Sequence, residues 1–441
     1  MKQGWEIKKL GEVAVVSSGN SAPQKEELFE NGIYPFIRTS DVGQIRKGFI
    51  RFCNDYLNED GVKGLKLYKK GTILFPKSGA STFLNHRVMM EIDGYVSSHL
   101  ATIKGNNSII DDRFLLYFLT TIDARNLMQD IAYPSLKTSE ISLIPIPYPP
   151  LPEQQRIVAI LDEAFAAIAK AKANAEQNLK NAKELFESYL QGVFEKKGKM
   201  SESGLIGLKD EQDLKSNQKK ILKFSNLENP DSDNGEGWEE KTLKEVCAKI
   251  TDGTHQTPKY FDDGVIFLSS KNVTSGKIDW DNIKYIDEKQ HLEMHKRVAP
   301  KVGDILLAKN GTTGVAAMVD RDLVFDIYVS LAHIRVLDEV TPDFMLYFIN
   351  SPVAKKQFNK RLKGSGVPNL HLEEIREVVI PFPKSIKEQN KIVQKLNDFS
   401  SESKKLEAIY QQKINDLEEL KKSVLQKAFS GELETEKTHH K

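Results

Sequence analysis

With 441 residues the chain is too long for one compact core, and 63 Lys and Arg against 62 Asp and Glu leave a formal net charge of +1, so any nucleic-acid surface has to be local. A hydrophobic share of 39% and a charged share of 28% describe a soluble globular protein. No apolar run approaches the ~18 residues that cross a bilayer, so no membrane partner is expected. Cys53 and Cys247 fall in separate halves and MKQGWEIKKL lacks the apolar core of a signal peptide, which predicts a cytoplasmic protein with two packing cysteines.

In chain order, residues 1–149 read as a first globular domain. Short β-like runs at 72–75 and 95–103 precede a helix at 113–129, the pattern of a mixed α+β unit. Prolines at 145, 147, 149, 150 and 152 remove backbone donors and close the domain. A helix starts behind Pro152, with Glu153 in its first turn, where a carboxylate suits the helix dipole. From Ile157 a 4,3 spacing selects Ile157, Leu161, Ala164, Ile168, Ala171, Ala175, Asn178, Ala182, Leu185, Tyr189 and Gly192, of which only Asn178 and Gly192 are not apolar. That seam predicts a coiled-coil helix over 150–197. Residues 198–236, with KKGKMSESG running across their start and NPDSDNGEG at their end, read as a polar, partly mobile linker.

The remainder repeats the beginning. GWEIKKLGEV at 4–13 returns as GWEEKTLKEV at 237–246, FIRTSDV at 36–42 as FLSSKNV at 267–273, and FLLYFLT at 114–120 as FMLYFIN at 344–350. PSLKTSEI at 134–141 returns as PNLHLEEI at 368–375, and every match keeps an offset of 230 to 236 in the same order. A duplicated unit of globular domain plus helix is the consequence. Residues 237–384 form the second domain, with β-like runs at 304–308 and 324–336 and one helix at 342–363; 385–430 form a second coiled-coil helix and 431–441 a polar tail. The small seam alanines of the first helix complement Phe399, Leu406, Tyr410 and Leu417 of the second, so the two are expected to pack antiparallel.

Catalytic signatures are missing. There is no phosphate loop, H-E-x-x-H, paired C-x-x-C or Rossmann-type turn. Asp231 with Glu239 and Lys241 imitates a metal-dependent nuclease, but Asp231 lies in the linker and the first copy lacks its counterpart. Nine histidines show no metal-like spacing, so no metal site is expected. What remains is polar loops. Lys77, Ser78 and Ser81 follow the strand-like TILF, and Lys309, Asn310, Thr312 and Thr313 follow DILLA. Small hydroxyl and amide groups beside lysine on a Gly-flexed loop suit phosphates or base edges. The matched runs add Arg38, Thr39 and Ser40 in the first copy and Ser269, Ser270 and Lys271 in the second; Lys137 and Asn369 lie in a further pair of polar loops. A basic run at 355–363 contributes Lys356, Lys360 and Lys363 on one helical face.

A globular domain, IPIPYPPLPEQQRIVAILDEAF and a long helix, followed by a second domain, IPFPKSIKEQNKIVQKL and a second helix, resembles the specificity subunit of type I restriction-modification systems. The resemblance covers nearly the whole chain. It implies a non-catalytic DNA-binding subunit in which two pseudo-symmetric α+β target recognition domains are separated by an antiparallel coiled coil. Each domain would read one half of a split double-stranded DNA target, and the helices would set the gap. It also implies two methylation subunits and the restriction subunits as partners, with S-adenosylmethionine held by the methylation subunits and no cofactor on this chain. The second copy departs from the pattern at Lys384-Ser385-Ile386-Lys387, where the first has Pro149-Pro150-Leu151-Pro152. Two alternatives remain open at the level of residues: a coiled-coil scaffold that binds only proteins, and a restriction-modification enzyme with its own catalytic centre.

Overall fold

The computed structural model describes residues 4–128, 134–195, 237–273, 275–362 and 369–433. The linker expected at 198–236, Lys363, and the tail beyond residue 433 lie outside them. The chain divides into two compact units, Met1–Ala173 with Ile414–Lys441, and Asn174–Lys413.

In the first unit the main sheet runs in the order Ala14–Ser18, Leu100–Gly105, Ile73–Pro76, Arg87–Met90, Lys47–Ile50, antiparallel except for its last pair. A second sheet places Tyr34–Ile37 between antiparallel Asp55–Leu57 and parallel Tyr95–Val96. The second unit repeats the smaller sheet and four of the five strands of the main one, without a counterpart of Lys47–Ile50 among the described residues. Cys247–Asp252, Leu331–Val336, Ile305–Ala308 and Ala316–Met318 form the main sheet, and Val265–Leu268 lies between Lys284–Ile286 and Phe325–Ile327. The sequence runs at 95–103 and 324–336 are therefore each two strands, because the chain passes from one sheet to the other at Ser97–His99 and at Tyr328–Ser330.

The repeated GWE segments pair with the proline-rich segments in two-stranded ribbons, Glu6–Lys9 with Pro145–Tyr148 and Trp238–Thr242 with Val379–Pro383. A ribbon of two strands leaves one edge of each strand unpaired, where a proline forfeits no ladder bond. The helix expected at 342–363 is two helices, Pro342–Asn350 and Pro352–Arg361. Ser351 ends the first, and its hydroxyl caps the second at Ala354 N, 3.2 Å away, while the Pro352 ring bars continuation. The helix expected at 113–129 stops at Leu119, where the Thr120 and Thr121 hydroxyls donate to the Tyr117 and Phe118 carbonyls at 2.6 and 2.7 Å.

The long helices run Leu151–Glu195 and Ile386–Ser430, 45 residues each. Within the first unit Phe165 lies under Lys421, and Lys172 pairs with Glu418. Within the second, the Ser403 hydroxyl donates to the Ala182 carbonyl at 2.8 Å and Tyr189 stacks on Phe399 at 4.4 Å. In each unit one number rises as the other falls, so the packing is antiparallel. The contact of Ser403 with a backbone carbonyl needs the small side chain at Ala182. Towards the helix ends the buried row moves one place along, to Leu190 and Val193 and to Leu425 and Ala428, as expected when a straight helix drifts against a 3.5-residue repeat. There each helix tip joins a domain core. Phe429 packs edge-on against Phe114 and Phe118 in the first unit, and Phe194 against Phe344 and Phe348 in the second.

Candidate nucleic-acid interface

The end of one central strand gathers the candidate residues in each domain. In the first, Lys77 and Ser78 follow Ile73–Pro76. The Lys77 amide donates to the His99 carbonyl at 3.0 Å, and the Lys77 carbonyl accepts from Leu136 N at 2.8 Å. Ser78 and Ser135 form a bridge. On the other side of the Ser97–His99 turn, Ser97 N donates to the Ile37 carbonyl at 2.9 Å, which brings in Arg38. Three segments far apart in sequence thus meet on one turn.

The second domain has the same construction. Lys309 N donates to Ser330 O at 3.0 Å, Leu370 N to Lys309 O at 2.9 Å, and Ser270 N to the Ser330 hydroxyl at 3.0 Å. Asn310 and Asn369 form the bridge that Ser78 and Ser135 form in the first domain. A fourth segment was not anticipated. Gly19 and Gly253 sit against the same turns, where a Cβ would stand 2.2 Å from Ser97 O or 1.9 Å from Ile327 O, so no other residue fits. Their offset of 234 lies inside the range of the repeat, which is the signal that marks them.

The side chains differ more than the backbones. Lys137 and Ser40 are exposed, Lys77, Thr39 and Ser81 half-buried. The Ser78 hydroxyl lies 2.8 Å from His99 Nδ1, and Ser81 donates back to Ser78 O at 3.1 Å. Arg38 is held by Asp55 and lies near the rings of Phe29 and Phe36. Thr39 and Ser40 form the first turn of the short helix Thr39–Ile45, not a loop. In the second domain Thr312 and Lys271 are exposed, and Thr313, Ser269 and Ser270 half-buried. Lys309 departs from the expectation of a free cation: it is 6% exposed, and its ammonium donates to Asp252 Oδ2 at 2.7 Å. The apolar Ile305–Ala308 strand leads it inward, and a buried ammonium needs a carboxylate. Burial pushes the Asp252 carboxyl up, but hydrogen bonds from Lys309 and Arg297 outweigh this and hold it below the usual range. Asn310 and Asn369 keep their side-chain oxygens buried without a donor among the described residues, an unmet demand for N–H groups.

The basic run follows on. Lys355, Lys356, Asn359 and Lys360 of Pro352–Arg361, with Pro352 and Glu187, line an open groove of about 500 Å³ in the second unit. Lys356 and Lys360 are exposed, whereas Arg361 is turned to the Gln357 and Glu377 carbonyls. Phe358 braces the helix behind the Lys309 loop, 3.5 Å from where a Cβ on Gly314 would be. In the first domain Arg125 is occupied by both carboxylate oxygens of Asp123.

The nuclease-like residues are used structurally: Glu239 pairs with Lys384 at 2.8 Å, and Lys241 with Glu339 at 3.0 Å. The expectation of no metal-like histidine spacing meets an exception at His291 and His295, four residues apart, which the fold brings to Asp326. Among the described residues no helix is long and apolar enough to cross a membrane.

A family model described as the type I restriction modification DNA specificity domain matches residues 2–179 and again 235–418. The MjaVIII specificity subunit of a type I restriction enzyme from Methanocaldococcus jannaschii is 24% identical over 445 residues, covering 98% of this chain and 93% of that protein. The EcoBI specificity subunit from Escherichia coli is 24% identical over 439 residues, covering 97% and 86%. A chain from a structural study of complex assembly and conformational transition in a type I system superposes with a TM-score of 0.73 at 21% identity, covering 98% of this chain and 99% of its own. That last likeness is one of fold.

Proposed function

Because the chain belongs to the family of the type I restriction modification DNA specificity domain, we propose that each of its two globular domains reads one half of a bipartite double-stranded DNA target through the segments gathered at its central strand end. The chain is a type I specificity subunit, a non-catalytic component that supplies DNA recognition to the partner subunits of its complex. The observation that carries the finer reading is the same convergence built twice: Arg38–Ser40, Lys77–Ser81 and the 134–137 loop in one domain, Ser269–Lys271, Lys309–Thr313 and Asn369 in the other. Hydroxyl, amide and amine groups on backbone locked by hydrogen bonds suit base edges, which demand fixed donors and acceptors. The lysines of Pro352–Arg361 suit phosphates, which set register without reading sequence.

In this reading two methylation subunits dock on the chain and hold S-adenosylmethionine, the restriction subunits join them in the cytoplasm, and the length of the paired helices fixes the spacer between half-sites. Methylome sequencing of a host that carries the chain with its partners tests it. A methylated motif of two short blocks around an unread spacer is expected. Exchange of residues 77–82 for those of a relative should alter one block and leave the other. A contiguous motif, or a change in both blocks, would overturn the modular account.

A further inference from the structure

In the second unit His291 and His295 project from one face of Glu288–Met294 and its C-cap, since residues four apart lie one above the other on a helix. Asp326, the middle residue of the strand Phe325–Ile327, meets them: its two carboxylate oxygens lie 2.8 Å from His291 Nδ1 and 3.0 Å from His295 Nδ1. The Asp326 side chain is 2% exposed, so a carboxylate has been taken out of water with two imidazoles as the side-chain hydrogen-bond partners found for it among the described residues. That is a costly arrangement for packing alone. In the matched register Tyr95 stands where Asp326 stands, since Tyr95 pairs with Phe36 as Asp326 pairs with Phe267. The cluster is private to the second domain.

We propose that His291, His295 and Asp326 bind one divalent transition-metal ion of the zinc, cobalt or nickel class, pinning the helix to the strand. Two imidazoles and a carboxylate are a donor set for these ions. One ligand atom from each residue can be chosen so that all three lie within 4.8 Å of one another. Tetrahedral ligands on bonds of ~2.05 Å sit about 3.3 Å apart, so the nitrogen–oxygen contacts of 2.8 and 3.0 Å open by a few tenths of an ångström, and because they are made to different oxygens the rings turn to bring both Nδ1 atoms onto one ion. For coordination through Nδ1, each neutral ring keeps its single proton, moved to the outward Nε2. His295, 31% exposed on its side chain, leaves a path to solvent for the ion and for a fourth ligand.

The test uses the full chain with His439→Gln and His440→Gln, so that the histidines of the tail do not compete. Zinc titration by calorimetry and the visible spectrum with cobalt are the readouts. One ion per chain is expected, with the intense bands of tetrahedral cobalt, and saturating zinc should raise a melting transition by about 5 °C. His295→Gln, a change at a partly exposed site, should weaken binding at least tenfold, and His291→Gln with His295→Gln should abolish it. Absence of stoichiometric binding at micromolar zinc would overturn the proposal, as would binding that survives both substitutions. Should the double variant not fold, His295→Gln alone decides: unchanged affinity there overturns it as well.

Discussion

Each globular domain buries a cation beside the segments proposed to read DNA, and the two solve the resulting problem differently. In the second, Lys309 faces Asp252, which also accepts from Arg297 and lies 3.2 Å from His255. In the first, Arg87 is fully buried with no carboxylate bonded to it among the described residues. Its guanidinium carbon lies 3.3 Å from the Phe75 ring centroid, two carbonyls accept from it, and Nε has no acceptor. Burial pushes the Arg87 guanidinium down to about 9, with Asp123 acting weakly upward. The duplicated sheet dictates where the segments converge; the charges on it have been redistributed. Among the candidate residues the exposed cations are Lys137 in the first domain, and Lys271 with Lys356 and Lys360 of the Pro352–Arg361 helix in the second.

The largest effect should come from what the copies share. Gln154 is fully buried and accepts from Asp111 N at 2.8 Å while donating to the Ile109 and Pro149 carbonyls. Gln389 repeats all three bonds, with Thr341 N, Glu339 O and Pro383 O. Each ties the root of a long helix to the loop before a domain helix. Gln389→Ala would orphan one N–H and two carbonyls in a dry site, at about 4 kcal/mol, and Gln154→Ala should match it in the first unit. Urea unfolding with domain-specific tryptophan fluorescence measures both. A loss below ~1 kcal/mol in either would mean water replaces the amide, and that the copies are not equivalent there.

The buried cations should then separate. Lys309→Met leaves Asp252 with Arg297 as its remaining strong donor, and should cost the second unit about 3 kcal/mol. Arg87→Met removes a buried charge that no carboxylate bonds among the described residues and that Asp123 supports only weakly, so its cost should stay below ~1 kcal/mol, or the variant should gain stability. Equal losses in the two variants would erase the contrast. The effect of acid follows from the same residues. The folded-state carboxyls of Asp252 and of Asp304, the latter buried but hydrogen-bonded by His333 and Arg335, lie below the usual range. Their contribution is present above the unfolded value near pH ~4 and is lost as pH falls through the folded values. Acid unfolding of the second unit should begin at higher pH in Asp304→Asn, which lacks that contribution; an unshifted midpoint would show that Asp304 is not held in this way.

The repeat was legible because it rests on short strings in constant order, and it singled out loops that the fold brings together within each domain: Lys77 and Ser78 with Leu136 and Ser135, and Lys309 and Asn310 with Leu370 and Asn369. What was not legible depends on partners remote in sequence. Nothing around Lys309 announces burial, since its carboxylate is 57 residues away. Gln154 and Gln389 look like ordinary first-turn polar residues until the loop N–H and carbonyl groups 43 to 50 residues before them are in place. The His291 and His295 pair was visible as a spacing, but Asp326 reads as one polar residue in a strand. Leu406 and Leu417, expected at the helix seam, are only half-buried, because a strict 4,3 count slips against a nearly straight helix.

The smallest effect, and the one that most sharpens the contrast, concerns phosphate. Lys356 and Lys360 are exposed on one face of their helix and, among the described residues, take no carboxylate partner. Each phosphate neutralised contributes about 0.9 to the slope of log affinity against log salt, so Lys356→Ala with Lys360→Ala should flatten the slope by up to ~1.8. Target preference should be untouched, because backbone contacts set register and do not read bases. In the first domain Arg125→Ala should leave the slope where it is, since that guanidinium is already satisfied by Asp123. Binding of the assembled methyltransferase to specific and scrambled duplexes over a salt series separates the outcomes. A parental slope in the lysine variant would make Pro352–Arg361 a solvated face or a protein-docking surface, and an altered target would make it a reader of bases. A flattened slope in Arg125→Ala would mean that Asp123 releases its arginine to DNA, and that the two domains divide phosphate contacts more evenly than their charges suggest.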